Sequence, residues 1–210
     1  MRTIETTVYQ FDELPTERAK ERARDWFRSG NGDPDRFEHV LDDAATVCSL
    51  LGIQLATRTV RLMNGSTRQE PVIYFSGFSS QGDGACFAGS YTYRAGSSRA
   101  IRAYAPKDAD LQAIADTLQN LQRRHFYKLS ATLTHIGRDA HEYSVTIDVS
   151  CDHCYRDDDC ASDLANALRD VMRWIYRQLE QEDEYQNSND TVDENIRANE
   201  YEFDEDGDRA

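Results

Sequence analysis

The chain lacks the long apolar segments that membrane proteins and exported proteins carry. No apolar run in its 210 residues approaches the roughly 20 residues that a membrane-spanning helix needs. The N-terminus, Met1-Arg2-Thr3-Ile4-Glu5, has no apolar core of the kind found in a signal peptide. The sequence therefore predicts a cytoplasmic protein with no membrane partner.

Cysteine is scarce and odd in number. Cys48 and Cys86 lie in apolar surroundings, where a reduced thiol acts as a small hydrophobic group, and we expect no disulfide framework. Cys151 and Cys154 have the C-x2-C spacing of two zinc ligands, and His153 or Cys160 could add a third. No second pair of ligands follows, so the cluster is one ligand short. We therefore expect no structural zinc and no cofactor. The sequence alone does not decide whether Cys151, Cys154 and Cys160 bind a metal.

Catalytic and nucleotide-binding fingerprints are also missing. There is no diagnostic Ser-His-Asp spacing and no pair of carboxylates at catalytic spacing. The glycine-rich stretch 76–85 has no lysine of a Walker A loop and precedes a predicted strand instead of a helix. Its exposed backbone N–H groups could cradle an anion, with Gln81 and Asp83 as polar readers. We favour a tight connection in which Gln81 and Asp83 bond to their own backbone.

A second polar cluster lies in a predicted hairpin. If Arg138 and Asp139 form its turn, His135 lies opposite Glu142, whereas a three-residue loop places His135 opposite His141. Either register brings titratable groups together, which could bind a metal or transfer protons. A hydrolase-like enzyme that uses Asp83, His135 and His141 is the least favoured of the functions that we consider.

Negative charge is what the sequence has in excess. Thirteen acidic residues and only Arg197 and Arg209 lie between Glu180 and Ala210, so most of the net charge of −14 is C-terminal. Such a field repels phosphate backbones and attracts basic surfaces, so direct binding of nucleic acid is not expected. The simpler alternative is a solubilising tail. The residues that we predict to bind a partner are Glu194, Glu200, Glu202, Asp204, Glu205, Asp206 and Asp208.

Hydrophobic periodicity predicts an α+β fold. The helices are expected at 16–29, from Asp33 to Gly52, from Ser97 or Ser98 to before Pro106, from Asp108 onward, and from Ser162 to about Tyr185. The strands are expected at 3–10, 53–63, 72–78, 85–94, 126–136 and 141–150. Together they predict one antiparallel-dominated sheet of about six or seven strands with helices packed on it. We expect a single domain over residues 1–210, with the acidic segment 180–210 docked as a short helix and strand.

The long C-terminal helix also carries a basic stripe. Arg169, Arg173 and Arg177 follow one another at four-residue spacing beside the apolar face. We expect them to pair with Asp170, Glu180 or the acidic C-terminal segment.

Short motifs along nearly the whole chain resemble a family of small proteins from phages and prophages. The motifs are Phe11-Asp12-Glu13-Leu14, Ala19-Lys20-Glu21-Arg22-Ala23, Phe75-Ser76-Gly77-Phe78, Ser80-Gln81-Gly82-Asp83-Gly84-Ala85-Cys86-Phe87, Tyr104-Ala105-Pro106, Phe126-Tyr127, His135-Ile136-Gly137-Arg138, His141-Glu142, Met172-Arg173-Trp174-Ile175-Tyr176-Arg177 and Ala198-Asn199-Glu200-Tyr201-Glu202-Phe203. That family carries the loose label of an antitoxin of a toxin-antitoxin stability system. The resemblance implies that the acidic end is an integral helix and strand, and 151–160 departs from its pattern.

Phage resemblance and an acidic surface together predict an inhibitor. The expected partner is a basic protein or complex of the host cell cytoplasm, above all a nucleic-acid-binding defence component such as a CRISPR effector. The carboxylates would occupy its binding surface by mimicking phosphates. An antitoxin that neutralises a toxin is the alternative. An enzyme is not expected, and a homodimer is left open.

Overall fold

The computed structural model describes residues 7–30, 35–63, 65–151 and 159–210. The chain divides into two compact units, a smaller one formed by Met1–Glu38 with Gln181–Ala210 and a larger one formed by His39–Glu180. This division leaves the single-domain prediction untested, because it does not say whether either unit folds alone. No helix in the described part of the chain combines the length and the apolar character that a membrane crossing requires.

The smaller unit joins the two ends of the chain. Its elements are β1 (Tyr9–Gln10), a 3-10 turn (Phe11–Glu13), α1 (Glu17–Arg28), α6 (Asn189–Ala198) and β10 (Glu202–Phe203). Strands β1 and β10 pair antiparallel, with Tyr9 opposite Phe203. The unit has its own buried apolar cluster, consisting of Phe11, Leu14, Ala19, Ala23, Phe27, Val192, Ile196 and Phe203. The C-terminal segment is therefore part of a core.

The larger unit is built from helices and short antiparallel strands. The helices are α2 (Glu38–Leu51), α3 (Ser97–Tyr104), α4 (Ala109–Arg124) and α5 (Cys160–Gln186), and the last residues of α5 belong to the smaller unit. The strands are β2 (Ile53–Leu55), β3 (Thr57–Arg61), β4 (Thr67–Pro71), β5 (Ile73–Phe75), β6 (Ala85–Phe87), β7 (Gly89–Thr92), β8 (Ser130–His135) and β9 (Val145–Ser150). Phe87, Tyr91, Leu118, Leu164 and Leu168 are among its buried side chains.

The predicted α+β class is confirmed, and every described strand pair is antiparallel. The strands do not form one sheet, however. They form a four-stranded sheet in the order β2-β7-β8-β9 and three two-stranded sheets, β1-β10, β3-β4 and β5-β6. Strand number is correspondingly higher than the six or seven expected, because the long strands that the periodicity predicted are broken into shorter ones.

The predicted strands are broken where a chain segment stops pairing with one strand and starts pairing with another. At Ala56, between β2 and β3, the backbone N–H donates to Ala88 O at 2.8 Å and the carbonyl accepts from Val72 N at 2.8 Å. Gly89 follows Ala88 with a φ of +152°, and a Cβ there would lie 2.1 Å from Gln54 O. Only glycine permits this approach of two backbones. The predicted strands 53–63 and 85–94 each divide at this crossing.

The caps predicted at Thr16 and Asp108 are confirmed, but neither Ser97 nor Ser98 caps α3. Its N-cap is Gly96, which is in the left-handed conformation and makes no side-chain cap. Thr16 accepts a hydrogen bond from Ala19 N at 3.1 Å and begins α1, and Asp108 accepts one from Leu111 N at 2.8 Å and begins α4. Part of the first predicted strand, the Asp33-Pro34 helix start and Asn64 of the first hairpin lie outside the described residues. Residues 35–37, which were expected to be helical, form a turn, and α2 begins at Glu38.

Candidate functional site: an anionic surface on the smaller unit

The negative charge of the protein is concentrated in the smaller unit. That unit contains 21 acidic and 9 basic residues, whereas the larger unit contains 17 acidic and 15 basic residues. Of the net charge of −14, the smaller unit therefore contributes −12. The surface of the smaller unit is therefore the place to look for an electrostatic role.

Part of this acidity is neutralised inside the unit by a buried arginine. Arg24 donates from Nε and Nη2 to the two carboxylate oxygens of Asp193 at 2.7 and 2.9 Å, and from Nη1 to Glu17 and Glu21 at 2.8 and 2.9 Å. The hydrogen bonds to Asp193 hold the pKa of Arg24 above its usual range. This bidentate pair links α1 to α6, so Asp193 belongs to the fold and not to a binding surface.

Further ion pairs fix the ends of the acidic segment. Arg36 pairs with Asp183 at 2.9 Å, and Arg197 pairs with Asp12 at 2.8 Å. The hydrogen bond from Arg197 lowers the pKa of Asp12 below its ordinary value. Arg28 donates to Asn187 O at 3.2 Å, while Arg24 bonds Asp193, so α1 and α6 run antiparallel.

Two of the seven predicted partner-binding residues have structural roles. Asp204 Oδ1 accepts from the backbone N–H groups of Asp206 and Asp208 at 3.0 and 2.9 Å, which closes a tight loop after β10. Asp208 pairs with Arg22 of α1 at 2.8 Å. Within the loop, Gly207 has a φ of +88°, and a Cβ there would lie 2.1 Å from Ala19 O. The loop is therefore seated against the start of α1, and Asp204 and Asp208 hold it there.

The other five predicted residues present their carboxylates to solvent. Within the described ranges no hydrogen bond or ion pair engages these side chains, and all five are exposed: Glu194, Glu200, Glu202, Glu205 and Asp206. Because an unpaired exposed carboxylate keeps its field available to a partner, these five residues constitute what we call the anionic surface.

A cleft of about 1000 Å³ opens in the same unit beside Glu194. Its walls combine aromatic rings, side-chain amides and two arginines. The lining includes Phe27, Phe37, Tyr185, Tyr201, Gln186, Asn187, Asn195, Asn199, Arg28 and Arg36. Both arginines are already engaged, Arg28 with Glu21 at 3.1 Å and Arg36 with Asp183 at 2.9 Å. The cleft therefore offers ring faces, amides and one carboxylate to a ligand.

In the glycine-rich loop of the larger unit, Asp83 has the structural role that we favoured, whereas among the described residues the Gln81 side chain makes no bond to its own backbone. Asp83 Oδ2 accepts from the backbone N–H groups of Ser79 and Ser80 at 3.0 and 2.7 Å. Gly84 lies so close to His141 that a Cβ would be 2.8 Å from His141 Cβ. Gln81 is exposed at the tip of the loop. These N–H groups are occupied by Asp83 and are not available to cradle an anion.

The second hairpin adopts neither predicted register. His135 pairs with Val145, and residues 136–144 form the connection, in which Arg138 is exposed. The reason is a turn at residues 141–144, where Ser144 donates from N and Oγ to His141 O at 2.9 and 2.7 Å. His135 instead stacks on Tyr74, with ring centroids 4.2 Å apart. The expected hairpin is tight, with its turn at Arg138 and Asp139, whereas the observed connection has nine residues and is centred on Ala140.

The remaining polar groups of this hairpin are paired locally. Glu142 accepts from Arg173 Nε at 2.9 Å, and Arg173 also pairs with Asp170 at 2.7 Å, as the basic stripe predicted. His141 Nδ1 accepts from Tyr143 N at 3.1 Å. Arg177 pairs with Asp110 at 3.4 Å.

These contacts do not assemble a catalytic arrangement from the predicted residues. Over the described ranges no hydrogen bond joins Asp83 to His135, His141 or Glu142. The nearby thiol of Cys86 is buried, and its burial raises its pKa, which disfavours the nucleophilic thiolate. Nothing in this geometry favours the hydrolase alternative.

The sequence did not predict one cluster of possible metal ligands. Donor atoms of His125, Cys151 and Cys160 all lie within 4.8 Å of one another. Cys151 and Cys160 are disulfide cysteines, so the expectation of no disulfide is wrong for them, while Cys48 and Cys86 are free thiols. With His125 the described residues offer three donors, which is still one fewer than a closed tetrahedral zinc site has. His125 lies 26 positions upstream of Cys151, a spacing that matches no local motif. Cys154 and His153 lie outside the described residues.

The chain belongs to a domain family of unknown function, DUF8835, whose profile matches residues 37–189. The matched region covers the whole larger unit and stops before most of the acidic segment. No curated protein and no solved structure matches the chain. The family description names no activity, and the resemblance to phage antitoxin-like proteins stays a prediction.

Proposed function

We propose that this protein binds a basic partner through the anionic surface of its smaller unit and thereby blocks the partner's nucleic-acid-binding surface. The observation that carries the proposal is the separation of charge, with −12 of −14 in one unit. Carboxylates that project from a folded support imitate the phosphates that such a partner holds. The phage resemblance favours a host defence component as the partner.

The rigid attachment of the carboxylates supports binding over mere solubility. Glu205 and Asp206 lie in the loop that Asp204 closes and that Gly207 seats against α1. Glu194 lies on α6, which the buried Arg24 pair attaches to α1. Ordered charges lose less conformational entropy on binding than charges on a free tail do. A solubilising tail needs no such support.

The cleft beside Glu194 supplies a second contact of suitable chemistry. Tyr185 is 59% exposed and lines this cleft together with Tyr201 and Glu194. A partner's arginine or lysine side chain can stack on such rings while its charge meets the carboxylate. The proposal therefore predicts that a basic side chain of the partner enters this cleft.

The test compares two variants that each remove three exposed carboxylates. The first, E194Q/E205Q/D206N, changes the anionic surface, and the second, D42N/D139N/D148N, changes exposed acids of the larger unit. Each immobilised protein is exposed to nuclease-treated host extract, and retained proteins are eluted with increasing salt. A basic nucleic-acid-binding protein retained by the parent is then purified, and its dissociation constant is measured for all three proteins.

The first variant should bind this partner about 5- to 30-fold more weakly, because three exposed contacts together contribute roughly 1 to 2 kcal/mol. The salt dependence should also become shallower. The second variant should bind like the parent. Equal binding by all three proteins, or failure of the parent to displace nucleic acid from the partner, would refute the proposal. A retained toxin whose enzymatic activity is neutralised would favour the antitoxin alternative.

A further inference from the structure

The ends of three elements of the larger unit lie close together. Helix α4 ends at His125, which caps it, β9 ends one residue before Cys151, and α5 begins at Cys160. The pairing of Ser130 with Ser150 brings the start of β8, shortly after His125, beside the end of β9. Arg124 and Asp163 form an ion pair at 3.7 Å between the same helix ends. The convergence of the three residues thus follows from the fold and not from a flexible loop.

The turn that follows His125 is held in an unusual conformation. Phe126 and Tyr127 have φ values of 54° and 61°, a left-handed conformation that is unfavourable for non-glycine residues and persists only where the surrounding structure holds it. The buried Gln122 stabilises this turn through its side chain and its backbone. Its side-chain Nε2 donates to Leu129 O at 2.7 Å, and its backbone carbonyl accepts from Tyr127 N at 2.6 Å. His125 is itself only 7% exposed. A buried imidazole is therefore fixed beside two cysteines.

We propose that His125, Cys151 and Cys160 are ligands of a zinc site that becomes available when the two cysteines are reduced. Donor atoms of all three residues lie within 4.8 Å of one another, close enough for one ion to contact all three after small movements. Two thiolates and one imidazole suit Zn²⁺, which binds sulfur at about 2.3 Å and nitrogen at about 2.0 Å, and a water molecule would complete the tetrahedron as it does at open zinc sites. Calcium and magnesium require oxygen ligands and do not suit this set.

The disulfide state of the two cysteines makes the site a redox switch. Two molecules of a low-molecular-weight thiol reduce one disulfide, giving two cysteine thiols and one molecule of oxidised disulfide reductant. Binding of Zn²⁺ then displaces the two thiol protons to solvent. In the oxidised protein the sulfur atoms are bonded and cannot act as thiolate ligands. The same residues thus stabilise this end of the sheet through a covalent bond under oxidising conditions and through a metal under reducing conditions.

The experiment titrates the full-length protein with Co²⁺ and then displaces it with Zn²⁺. The protein is reduced with a phosphine and handled without oxygen, and a second sample is oxidised with diamide. The reduced parent should bind one equivalent, with the thiolate charge-transfer band and the strong visible bands of tetrahedral cobalt. The oxidised parent should show neither feature. Zinc affinity is measured by competition with a chromogenic chelator.

Variants identify the ligands. H125Q, C151S and C160S should each weaken zinc binding by at least about 100-fold, since even groups that only support a metal ligand contribute 10- to 100-fold. The double variant C48A/C86A removes two thiols outside the cluster and should bind zinc like the parent. Circular dichroism of each reduced variant checks folding. If H125Q does not fold, the imidazole ¹⁵N resonance of His125 in the labelled parent should shift on addition of zinc.

The outcomes that overturn the proposal are distinct. Absence of binding by the reduced parent, or zinc bound equally well by the oxidised parent, contradicts the switch. Parent-like affinity in H125Q, or an imidazole resonance that does not shift, removes His125 from the site. None of these results depends on a macromolecular partner, so the site can fail while the proposed function stands, and the reverse also holds.

Discussion

At the scale of single residues, Arg24 shows how the protein folds an acidic segment without accumulating repulsion. Its side chain is only 9% exposed and contacts three carboxylates, of which Asp193 comes from the distant C-terminal part of the chain. A buried guanidinium is costly unless its donors are satisfied, and here the pairing satisfies it. The hydrogen bonds from Arg24 and Arg28 also lower the pKa of Glu21.

The residue-scale prediction concerns this ion pair. R24M should lower the free energy of unfolding by about 2 to 4 kcal/mol, because it leaves the largely buried Asp193 without its partner. The double variant R24M/D193L should recover much of this loss, since an apolar pair leaves no charge unsatisfied. Urea unfolding followed by circular dichroism measures all three.

The matched control is R22M on the same helix. Arg22 is 55% exposed and pairs with Asp208, so its loss should cost less than about 1 kcal/mol. If R24M and R22M were equally destabilising, the Arg24 pair would have no special role in joining α1 to α6.

At the scale of elements, Asp108 joins two helices of the larger unit. One carboxylate oxygen caps α4 by accepting from Leu111 N at 2.8 Å, and the other accepts from the indole Nε1 of Trp174 in α5 at 2.7 Å. The sequence predicted the cap, because an aspartate precedes an apolar-periodic segment. It did not predict the indole contact, which depends on how α4 and α5 pack and joins residues 66 positions apart in the sequence.

The element-scale prediction separates these two roles. D108A removes both hydrogen bonds and should reduce the free energy of unfolding by about 2 to 3 kcal/mol. D108N keeps an oxygen for the cap but presents an amide NH2 group to the indole N–H, so its loss should be about half as large. The measurement is the urea midpoint of each variant, with Trp fluorescence as a second probe of the indole environment. Equal losses in the two variants would mean that the cap contributes nothing.

At the scale of the whole molecule, the excess of negative charge should make stability depend on salt. A net charge of −14 repels itself in the compact state, and salt screens this repulsion. We expect the melting temperature of the parent to rise with sodium chloride. In E194Q/E205Q/D206N the melting temperature at low salt should be equal to or above that of the parent, because no hydrogen bond or ion pair among the described residues engages these carboxylates.

The contrasting variant is D204N/D208N, which removes two negative charges that the fold uses. It should melt below the parent at every salt concentration, since it weakens the loop after β10 and breaks the ion pair with Arg22. Scanning calorimetry over a range of salt concentrations measures both variants. If the two variants had the same melting temperatures at every salt concentration, the position of a carboxylate within the acidic segment would not affect its contribution to stability.

Predictability differed sharply between helices and strands. The helices at Thr16, Ser97 and Asp108 and the long C-terminal helix lie close to their predicted bounds, because caps and apolar periodicity are local properties. Strand lengths were overestimated where Ala56 and Ala88 meet, since two segments far apart in sequence decide that contact. The hairpin register at His135 was wrong for a local reason, because Ser144 bonds to His141 O through its backbone and its side chain and lengthens the connection to residues 136–144.

The sequence by itself determined the α+β class, most helix bounds and the C-terminal location of the charge, because composition, caps and periodicity act over a few residues. Only the tertiary structure decided which carboxylates remain exposed, because Arg22, Arg24 and Asp204 engage their partners through the folded smaller unit. It alone brought His125 to Cys151 and Cys160, since no spacing along the chain encodes a ligand that arrives from the end of another helix.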